Sequence, residues 1–169
     1  MTQDSWGKKG LRGSVYDLSH LDAFVLDVMP GDPNARILKA KVSFGMHTFT
    51  VKRLPEHTPD LFMGAAAKPR SFCPIRHACS LHLPGQIRQA GRRGGNAYKS
   101  HGGNFLIVDR IPVVKNDYAA VFKLEASDTP EIDVQMFVIS AYAPDVPTQN
   151  LKEISFYTLI RKFADGDSV

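Results

Sequence analysis

Alternation of apolar and polar residues with a period of two dominates the chain and predicts a sheet. In "ARILKAKVSFG" residues 38, 40, 42 and 44 are apolar and their neighbours are mostly charged or small, which is typical of a half-buried strand. "MHTFTVKRL" continues the pattern, so we expect the two strands to pair around Gly45 and Met46. In the second half "NFLIVDRI", "YAAVFKLEA" and "VQMFVISAYA" are rich in branched and aromatic residues, which predicts three further strands.

Helical spacing is confined to three places. A central helix is predicted from Pro74 to His82 or Leu83, with Pro84 and Gly85 interrupting it and "QIRQA" adding one more turn. "NLKEISFYTLIRKFADG" has apolar residues at helical spacing and predicts a C-terminal helix that ends at Gly166. Near the start, "SVYDLSHLDAFVLDV" fits either a short helix capped by Ser14 or Asp17 or a strand at 23–28.

This order of elements predicts an α+β fold. We expect a single domain with a twisted, mostly antiparallel sheet of about five strands, a central helix and a C-terminal helix. Residues 1–13, with three glycines and two lysines, are predicted to be a flexible N-terminal arm, and residues 14–169 to be the domain. Periodicity is lost at 54–71, where prolines are frequent, which predicts an exposed loop.

Composition restricts the class of protein. With 169 residues and 43% hydrophobic content the chain can bury one core, and no apolar run suits a membrane span or secretory signal, so we expect a cytoplasmic protein. Cys73 and Cys79 point to different faces of the predicted helix, which makes a disulfide between them poor and predicts free thiols. Cys73, His77, Cys79 and His82 crowd together, but no second ligand pair completes a zinc set, so we expect neither a metal nor a cofactor.

Positive charge is concentrated in the middle of the chain. The formal net charge is +4 and the pI is near 9.1. Residues 68–101 include three of the six histidines and no Asp or Glu. The seven cations of this stretch, the predicted basic surface, are Lys68, Arg70, Arg76, Arg88, Arg92, Arg93 and Lys99. A solvated face usually mixes signs, so this segregation favours a surface that faces an anion, either nucleic acid or an acidic protein.

The same stretch contains the residue types of a metal-independent nuclease. His77 and His101 are candidates for the acid and base, because histidine titrates near neutral pH. Arg76 and Lys99 could hold the phosphate, and Tyr142 could stack or donate a hydrogen bond. Each of these residues also fits an ordinary structural role in a helix or strand.

A second candidate site lies in the predicted loop, in "TPDLFMG". Leu61 and Phe62 are adjacent large apolar residues in a proline-flanked segment, and such a segment can insert its side chains into a groove of another protein. Alternatively, the two side chains fix the loop onto its own core. Asp60, Leu61 and Phe62 resemble the end of the short peptide with which bacterial replication proteins bind the DNA polymerase sliding clamp. Thr58 and Pro59 replace the glutamine and first leucine of that peptide.

Segments throughout the chain resemble a family of bacterial toxins. "WGKKGLRGSVYDLSHLDAF", "VSFGMHTFT", "RSFCPIRHACSLHLPGQIR", "GGNFLIV", "AVFKLEA" and "VISAYAPD" are similar to stationary-phase growth adaptation proteins, the SocB-like toxins of the SocAB toxin–antitoxin system. The resemblance implies a toxin that binds the sliding clamp through a short linear motif, here Asp60, Leu61 and Phe62, and blocks replication. It also implies two further partners, a cognate antitoxin that acts as a protease adaptor and the ClpXP protease.

The predicted order of elements, with "VQMFVISAYAPD" as its last strand, is also similar in architecture to the compact nuclease toxins of the barnase, colicin and RelE type. Three hypotheses are therefore carried forward. The preferred one is a replication inhibitor that binds the clamp, and the alternative is a ribonuclease toxin of the barnase, colicin or RelE type. The third is a nucleic-acid-binding protein without toxicity.

Overall fold

A computed structural model describes residues 3–144, 150–167 and 169. The described strands are β1 (Lys8–Leu11), β2 (Ser14–Asp17), β3 (Phe24–Val28), β4 (Leu38–His47), β5 (Thr50–Lys52), β6 (Phe62–Met63), β7 (Arg70–Phe72), β8 (Asn96–Lys99), β9 (Phe105–Arg110), β10 (Asp117–Ala126), β11 (Val134–Tyr142) and β12 (Glu153–Ser155). The described α-helices are α1 (Pro74–Ser80), α2 (Leu83–Arg93) and α3 (Phe156–Asp165). Short 3-10 turns lie at Ser19–Leu21, Pro59–Leu61 and His101–Gly103.

The strands form one large sheet and two small ones. The large sheet has seven strands in the order β12-β8-β9-β10-β11-β4-β3, and every neighbouring pair is antiparallel except β11 with β4. A three-stranded sheet has the order β5-β7-β6, and β1 pairs with β2. The prediction of an α+β fold with a mostly antiparallel sheet is confirmed. The large sheet has seven strands and not the five or so expected, because β3, β8 and β12 join it while β5 lies in the three-stranded sheet.

Two helices pack on the large sheet and bury their apolar faces. α2 contacts β3 and β9, while α3 contacts β10 and β4. Aromatic rings fill the space under α3, with Phe105 and Phe122 at 5.9 Å and Phe122 and Phe156 at 6.1 Å between ring centroids. Phe156 is fully buried. The amphipathic pattern of the C-terminal segment therefore predicts α3 correctly, because the apolar side of this helix covers the sheet.

The predicted pairing of β4 with β5 is wrong. β4 lies between β3 and β11 in the large sheet, whereas β5 pairs with β7 in the three-stranded sheet. The reason is the tight turn between them. The Thr48 hydroxyl donates to the carbonyl of Gly45 at 2.8 Å, and the Thr50 hydroxyl donates to the carbonyl of Met46 at 2.7 Å. These bonds turn the chain out of the large sheet instead of returning it along β4.

The helix predictions hold with two corrections. α1 begins at Pro74 as expected but ends at Ser80, before the predicted His82 or Leu83, and Pro84 does not interrupt the helical region. It lies in the first turn of α2, where the missing amide hydrogen costs no helical bond, so "QIRQA" belongs to an eleven-residue helix and not to one extra turn. α3 ends at Gly166, whose φ of 76° is the left-handed conformation that glycine adopts easily.

The N-terminal part of the chain forms two strands that the sequence did not predict. Residues 8–11, in the predicted arm, pair with residues 14–17 as a hairpin, so the helix does not begin after Ser14. A short 3-10 turn follows at Ser19–Leu21, where the amide of Ser19 donates to Asp17 Oδ1 at 2.8 Å, as the alternative cap at Asp17 predicts. Trp6 lies edge-on to Phe49 at 5.0 Å, which brings residue 6 against the core. The alternative strand at 23–28 is confirmed as β3. Most side chains in the predicted exposed loop at 54–71 are exposed or partly exposed.

None of the helices within the described residues has the length and apolar character that crossing a membrane requires.

Substitution of Gly45 can test how closely β4 and β11 approach each other. A Cβ at this position would lie 2.9 Å from Phe137 Cζ and 3.2 Å from the carbonyl oxygen of Ile139, so the Phe137 ring and the neighbouring backbone of β11 have to shift. We expect Gly45→Ala to lower the free energy of unfolding by about 1–3 kcal/mol in urea denaturation. The matched control is Gly31→Ala, which has open space around its Cβ and should change stability by no more than about 1 kcal/mol. Equal stability of the two variants would contradict the packing described here.

Candidate functional site

The predicted clamp-binding motif lies in an ordered surface segment, residues 58–63, called the docking segment below. Its first half is the 3-10 turn, closed by the amide of Leu61 donating to the carbonyl of Thr58 at 3.0 Å. Asp60 is exposed, and hydrogen bonding from the Thr58 hydroxyl is the main cause that lowers the pKa of its carboxyl. Leu61 and Phe62 are partly exposed. Neither of the two open alternatives, a protruding pair or a pair folded inward, describes them fully.

Individually weak contacts hold the docking segment. The guanidinium of Arg53 lies 3.6 Å from the centroid of the Phe62 ring, and its Nη2 donates to the carbonyls of Met63 at 3.3 Å and Arg70 at 3.2 Å. Arg12 Nε lies 3.4 Å from Asp60 Oδ2, in a pair whose side chains are both well exposed. β6 is only two residues long and pairs with β7, while Leu61 packs against the edge of the core.

The seven cations of the predicted basic surface fall into separate groups. Arg88 lies over the ring of Phe24 at 3.7 Å, and Lys99 donates to the main-chain oxygen of Val169 at 2.8 Å. Arg92 and Arg93 are exposed on α2. The remaining three, called the basic cluster below, are Lys68, Arg70 and Arg76. Arg70 and Arg76 donate to the carbonyl of Thr50, and the charges of all three act on His47. Among the described residues, none of the seven cations forms an ion pair with an Asp or Glu side chain.

Two arginines of the basic cluster converge on one carbonyl oxygen. Arg70 Nη2 donates to the carbonyl of Thr50 at 2.9 Å, and its Nε donates to the Thr50 hydroxyl at 3.1 Å. Arg76 Nη1 donates to the same carbonyl at 2.9 Å and to that of His47 at 2.8 Å. Both side chains are partly buried. Burial and, second to it, the charge of Arg76 lower the pKa of the Arg70 guanidinium.

His47 lies beside the basic cluster, although the sequence did not identify it as a candidate residue. Burial lowers the pKa of its imidazole, and the charges of Arg70, Arg76 and Lys68 lower it further. The side chain is therefore neutral near pH 7 in a positive field. Within the sequence His47 belongs to a strand pattern far from residues 68–76, so only the fold associates it with them.

His77, a predicted acid or base, has mainly structural partners. Its ring lies 5.2 Å from that of Tyr16, 5.4 Å from that of His20 and 5.8 Å from that of Phe72, measured between centroids. Its Nε2 is 3.0 Å from the carbonyl oxygen of Asp17. His77 thus attaches α1 to the N-terminal hairpin, with one ring nitrogen engaged by the backbone.

The other nuclease candidates lie elsewhere. His101 is exposed in the 3-10 turn after β8, Lys99 is bonded to Val169, and Tyr142 is 38% exposed at the end of β11. No contact among the described residues joins His77 with His101, Lys99 or Tyr142. Of the phosphate-holding candidates, only Arg76 stands beside other cations. The acid, the base and the phosphate-binding residues proposed from the sequence are thus not brought together as one set.

Cys73 is partly buried and Cys79 is buried, and both are free thiols. Burial raises the pKa of the Cys79 thiol, which also has a hydrogen bond with the Tyr118 side chain. The described part of the chain contains no group of three or more His, Cys, Asp or Glu side chains that could hold a metal ion. The crowding of cysteine and histidine in the sequence therefore does not become a ligand set in the part of the fold that is described.

Comparison with protein families gives one match, to a model described as the YjaZ family, which covers residues 8–164. The chain belongs to the YjaZ family. Searches of curated proteins and of solved structures gave no match. The matched range of this YjaZ-family chain includes the docking segment, the basic cluster, α1, α2 and all but the last residue of α3. The description names the family and states no activity, so function has to be argued from the sites themselves.

His20 links pH to the stability of the region around His77. Because the Ser80 hydroxyl donates to the carbonyl of His77, its oxygen accepts from His20 Nε2 at 2.7 Å. Burial, and next the neighbouring His77, lower the pKa of His20, although Asp17 and Asp22 act in the opposite direction. The unfolded chain, with a pKa of 6.5 for this group, therefore binds the proton more readily.

The contribution of His20 to stability is complete above pH 6.5 and is lost as pH falls through its lower folded-state value. We expect the free energy of unfolding to decrease between about pH 7.5 and pH 5, and to decrease less in His20→Gln. Urea denaturation monitored by circular dichroism measures this difference. His101→Gln, at an exposed site, is the control and should keep the steeper wild-type dependence. The same slope in wild type and His20→Gln would contradict this assignment.

Proposed function

We propose that this chain is a bacterial toxin that acts in the cytoplasm and inhibits DNA replication by binding the polymerase sliding clamp through Asp60, Leu61 and Phe62. The observation that supports this proposal is the position of the motif. Leu61 and Phe62 are partly exposed at the surface, in a segment that short-range contacts hold in place. The similarity of the motif to the clamp-binding peptide gives the partner.

Binding requires the docking segment to move outward, so that its contacts with the rest of the chain are exchanged for contacts with the clamp. The energies favour this exchange. An exposed ion pair such as Arg12 with Asp60 is weak because water and salt screen it, and a cation–π contact such as Arg53 over Phe62 is worth about 0.5–1 kcal/mol. Full burial of Leu61 and Phe62 in a partner's groove gains about 1.5–3 kcal/mol for each side chain. Both are already partly buried in the free protein, so the gain comes from the remainder of each surface.

The chemical roles of the three residues follow from this arrangement. Phe62 and Leu61 are the apolar anchors, which at protein interfaces carry most of the binding energy. Asp60 is exposed and charged, so it stays at the rim of the groove. Polymerase subunits that use the same groove would be excluded while it is occupied. The antitoxin that delivers the toxin to ClpXP is part of the same proposal, since it follows from the same resemblance.

The positions of the nuclease candidates do not favour the ribonuclease alternative as the main activity. A general acid and a general base must both reach the scissile phosphate, within hydrogen-bonding distance or through one water molecule. His77 bonds to the backbone of β2 and lies among aromatic rings, and His101 is exposed in a turn between β8 and β9. We therefore keep clamp binding as the proposed function.

The double variant Leu61→Ala, Phe62→Ala is expected to bind the purified clamp at least tenfold more weakly, because truncation of an interface anchor costs about 2 kcal/mol or more. It should also lose toxicity when expressed without an antitoxin. Leu54→Ala is the matched control, since Leu54 is 44% exposed in the same loop and lies outside the motif. Fluorescence anisotropy with labelled clamp gives the affinities, and circular dichroism verifies the fold.

Full toxicity of the double variant, combined with loss of toxicity in His77→Ala or His101→Ala, would refute clamp binding and support the ribonuclease. Harmless accumulation of the wild-type chain would favour the nucleic-acid-binding protein without toxicity. A clamp that does not bind the wild-type chain would also refute the proposal.

A variant that loosens the docking segment provides a second test, in which the clamp should be bound more tightly. Arg12 lies 3.4 Å from Asp60 and 3.4 Å from the Thr58 hydroxyl, so Arg12→Ala frees the segment without changing the motif. We expect this variant to bind the clamp up to about fivefold more tightly, because an exposed ion pair opposes release of the segment only weakly. Lys8→Ala, another exposed cation of the same hairpin, should bind as the wild type does. Weaker binding by Arg12→Ala would mean that the clamp recognises the segment in its present position.

A further inference from the structure

The basic cluster keeps most of its hydrogen-bonding capacity unused. A guanidinium has five N–H donors. Arg76 makes its two described bonds through Nη1, and Arg70 makes its two through Nε and Nη2. Within the described part of the chain, three donors of each group have no partner. Both side chains are only partly buried, so these donors can be reached from solvent.

The cluster also concentrates positive charge without compensation. Two guanidinium groups share the carbonyl of Thr50, Lys68 is close enough to affect His47, and no carboxylate among the described residues pairs with any of the three. Like charges held together out of bulk water repel each other, and their separation from water weakens solvation. An anion between them removes the repulsion, and a phosphate oxygen pair matches the planar donors of arginine.

A small apolar cleft adjoins the cluster at His47. It has a volume of about 240 Å³ and is lined by Trp6, Met46, Phe137 and Ile139 as well as by His47 itself. Flat aromatic groups favour such surfaces, because bases stack on aromatic side chains without regard to sequence. A phosphate site beside an aromatic cleft is the combination that single-stranded nucleic acids require.

We propose that Arg70, Arg76 and Lys68 bind a backbone phosphate of single-stranded nucleic acid, and that the adjacent cleft takes the neighbouring base. This site has different residues from the docking segment, so it adds a second ligand to the proposed clamp binding and does not depend on it. Arg70 and Arg76 position the phosphate through their free N–H groups. Lys68, which is exposed, contributes charge at the entrance.

The test uses the full chain and a fluorescently labelled single-stranded RNA of about eight nucleotides. Anisotropy is measured between about 50 and 200 mM salt, with an uncharged methylphosphonate oligonucleotide of the same sequence as the comparison probe. Substitution of Arg70 or Arg76 could unfold the turn at Thr50. The informative variant is therefore Lys68→Glu, at an exposed side chain, with Lys115→Glu in the turn after β9 as its matched control.

We expect the wild type to bind the RNA with an affinity that falls as the salt concentration rises, and not to bind the uncharged probe. Lys68→Glu should bind about three- to tenfold more weakly with a shallower salt dependence, whereas Lys115→Glu should stay within about twofold of the wild type. The variant with Leu61→Ala and Phe62→Ala should bind the RNA as the wild type does. The proposal is overturned if the wild type does not bind the RNA, if it binds the uncharged probe equally, or if the two Glu variants behave alike. Binding of inorganic phosphate without any binding of the RNA would also overturn the nucleic acid as ligand.

Discussion

The hydrogen-bonded turn at residues 45–50 determines how the two main sheets meet. Thr48 and Thr50 are fully buried, and their hydroxyls satisfy the carbonyls of Gly45 and Met46 inside the turn. The chain therefore leaves β4 sharply, and Phe49 enters the core between Trp6 and Phe72, at centroid distances of 5.0 and 6.3 Å. A buried threonine hydroxyl without these acceptors would be costly, so the turn and the core stabilise one another.

This turn also leaves the carbonyl of Thr50 available to the arginines. β7 lies in the middle of the three-stranded sheet, with Thr50 opposite Phe72 on one side and Met63 opposite Arg70 on the other. The docking segment and the basic cluster are therefore attached to the same short strand. Arg53 connects them, since its guanidinium covers Phe62 and donates to the carbonyl of Arg70. A small sheet on the side of the large one thus carries both candidate interaction sites.

Local patterns predicted the elements well and their partners poorly. β9, β10, β11 and α3 followed from periodicity, because each buries one face against a single layer. The parallel pairing of β11 with β4 joins residues about a hundred positions apart, and no local signal specifies it. Pro84 was misread because a proline breaks a helix in its interior but fits its first turn, and the sequence alone did not fix where α2 begins. The side-chain contacts of His77 are also not specified by a local pattern, because their partners Asp17 and His20 lie sixty and fifty-seven residues earlier in the chain.

The basic residues are concentrated in one part of the sequence, but the fold places them in separate groups. α2 buries Leu83, Ile87 and Ala90 against the sheet, while Arg88 and Arg92 lie on the face of the helix beside β3, where Arg88 covers the ring of Phe24. Charges on such a face are separated by water and screened over about 10 Å at ordinary ionic strength. Within the described part of the chain, β7 and α1 bring Arg70 and Arg76 together on the carbonyl of Thr50, and Lys68 from the loop before β7 adds its charge near His47. The capacity to bind an anion therefore depends on this convergence and not on the number of basic residues between positions 68 and 101.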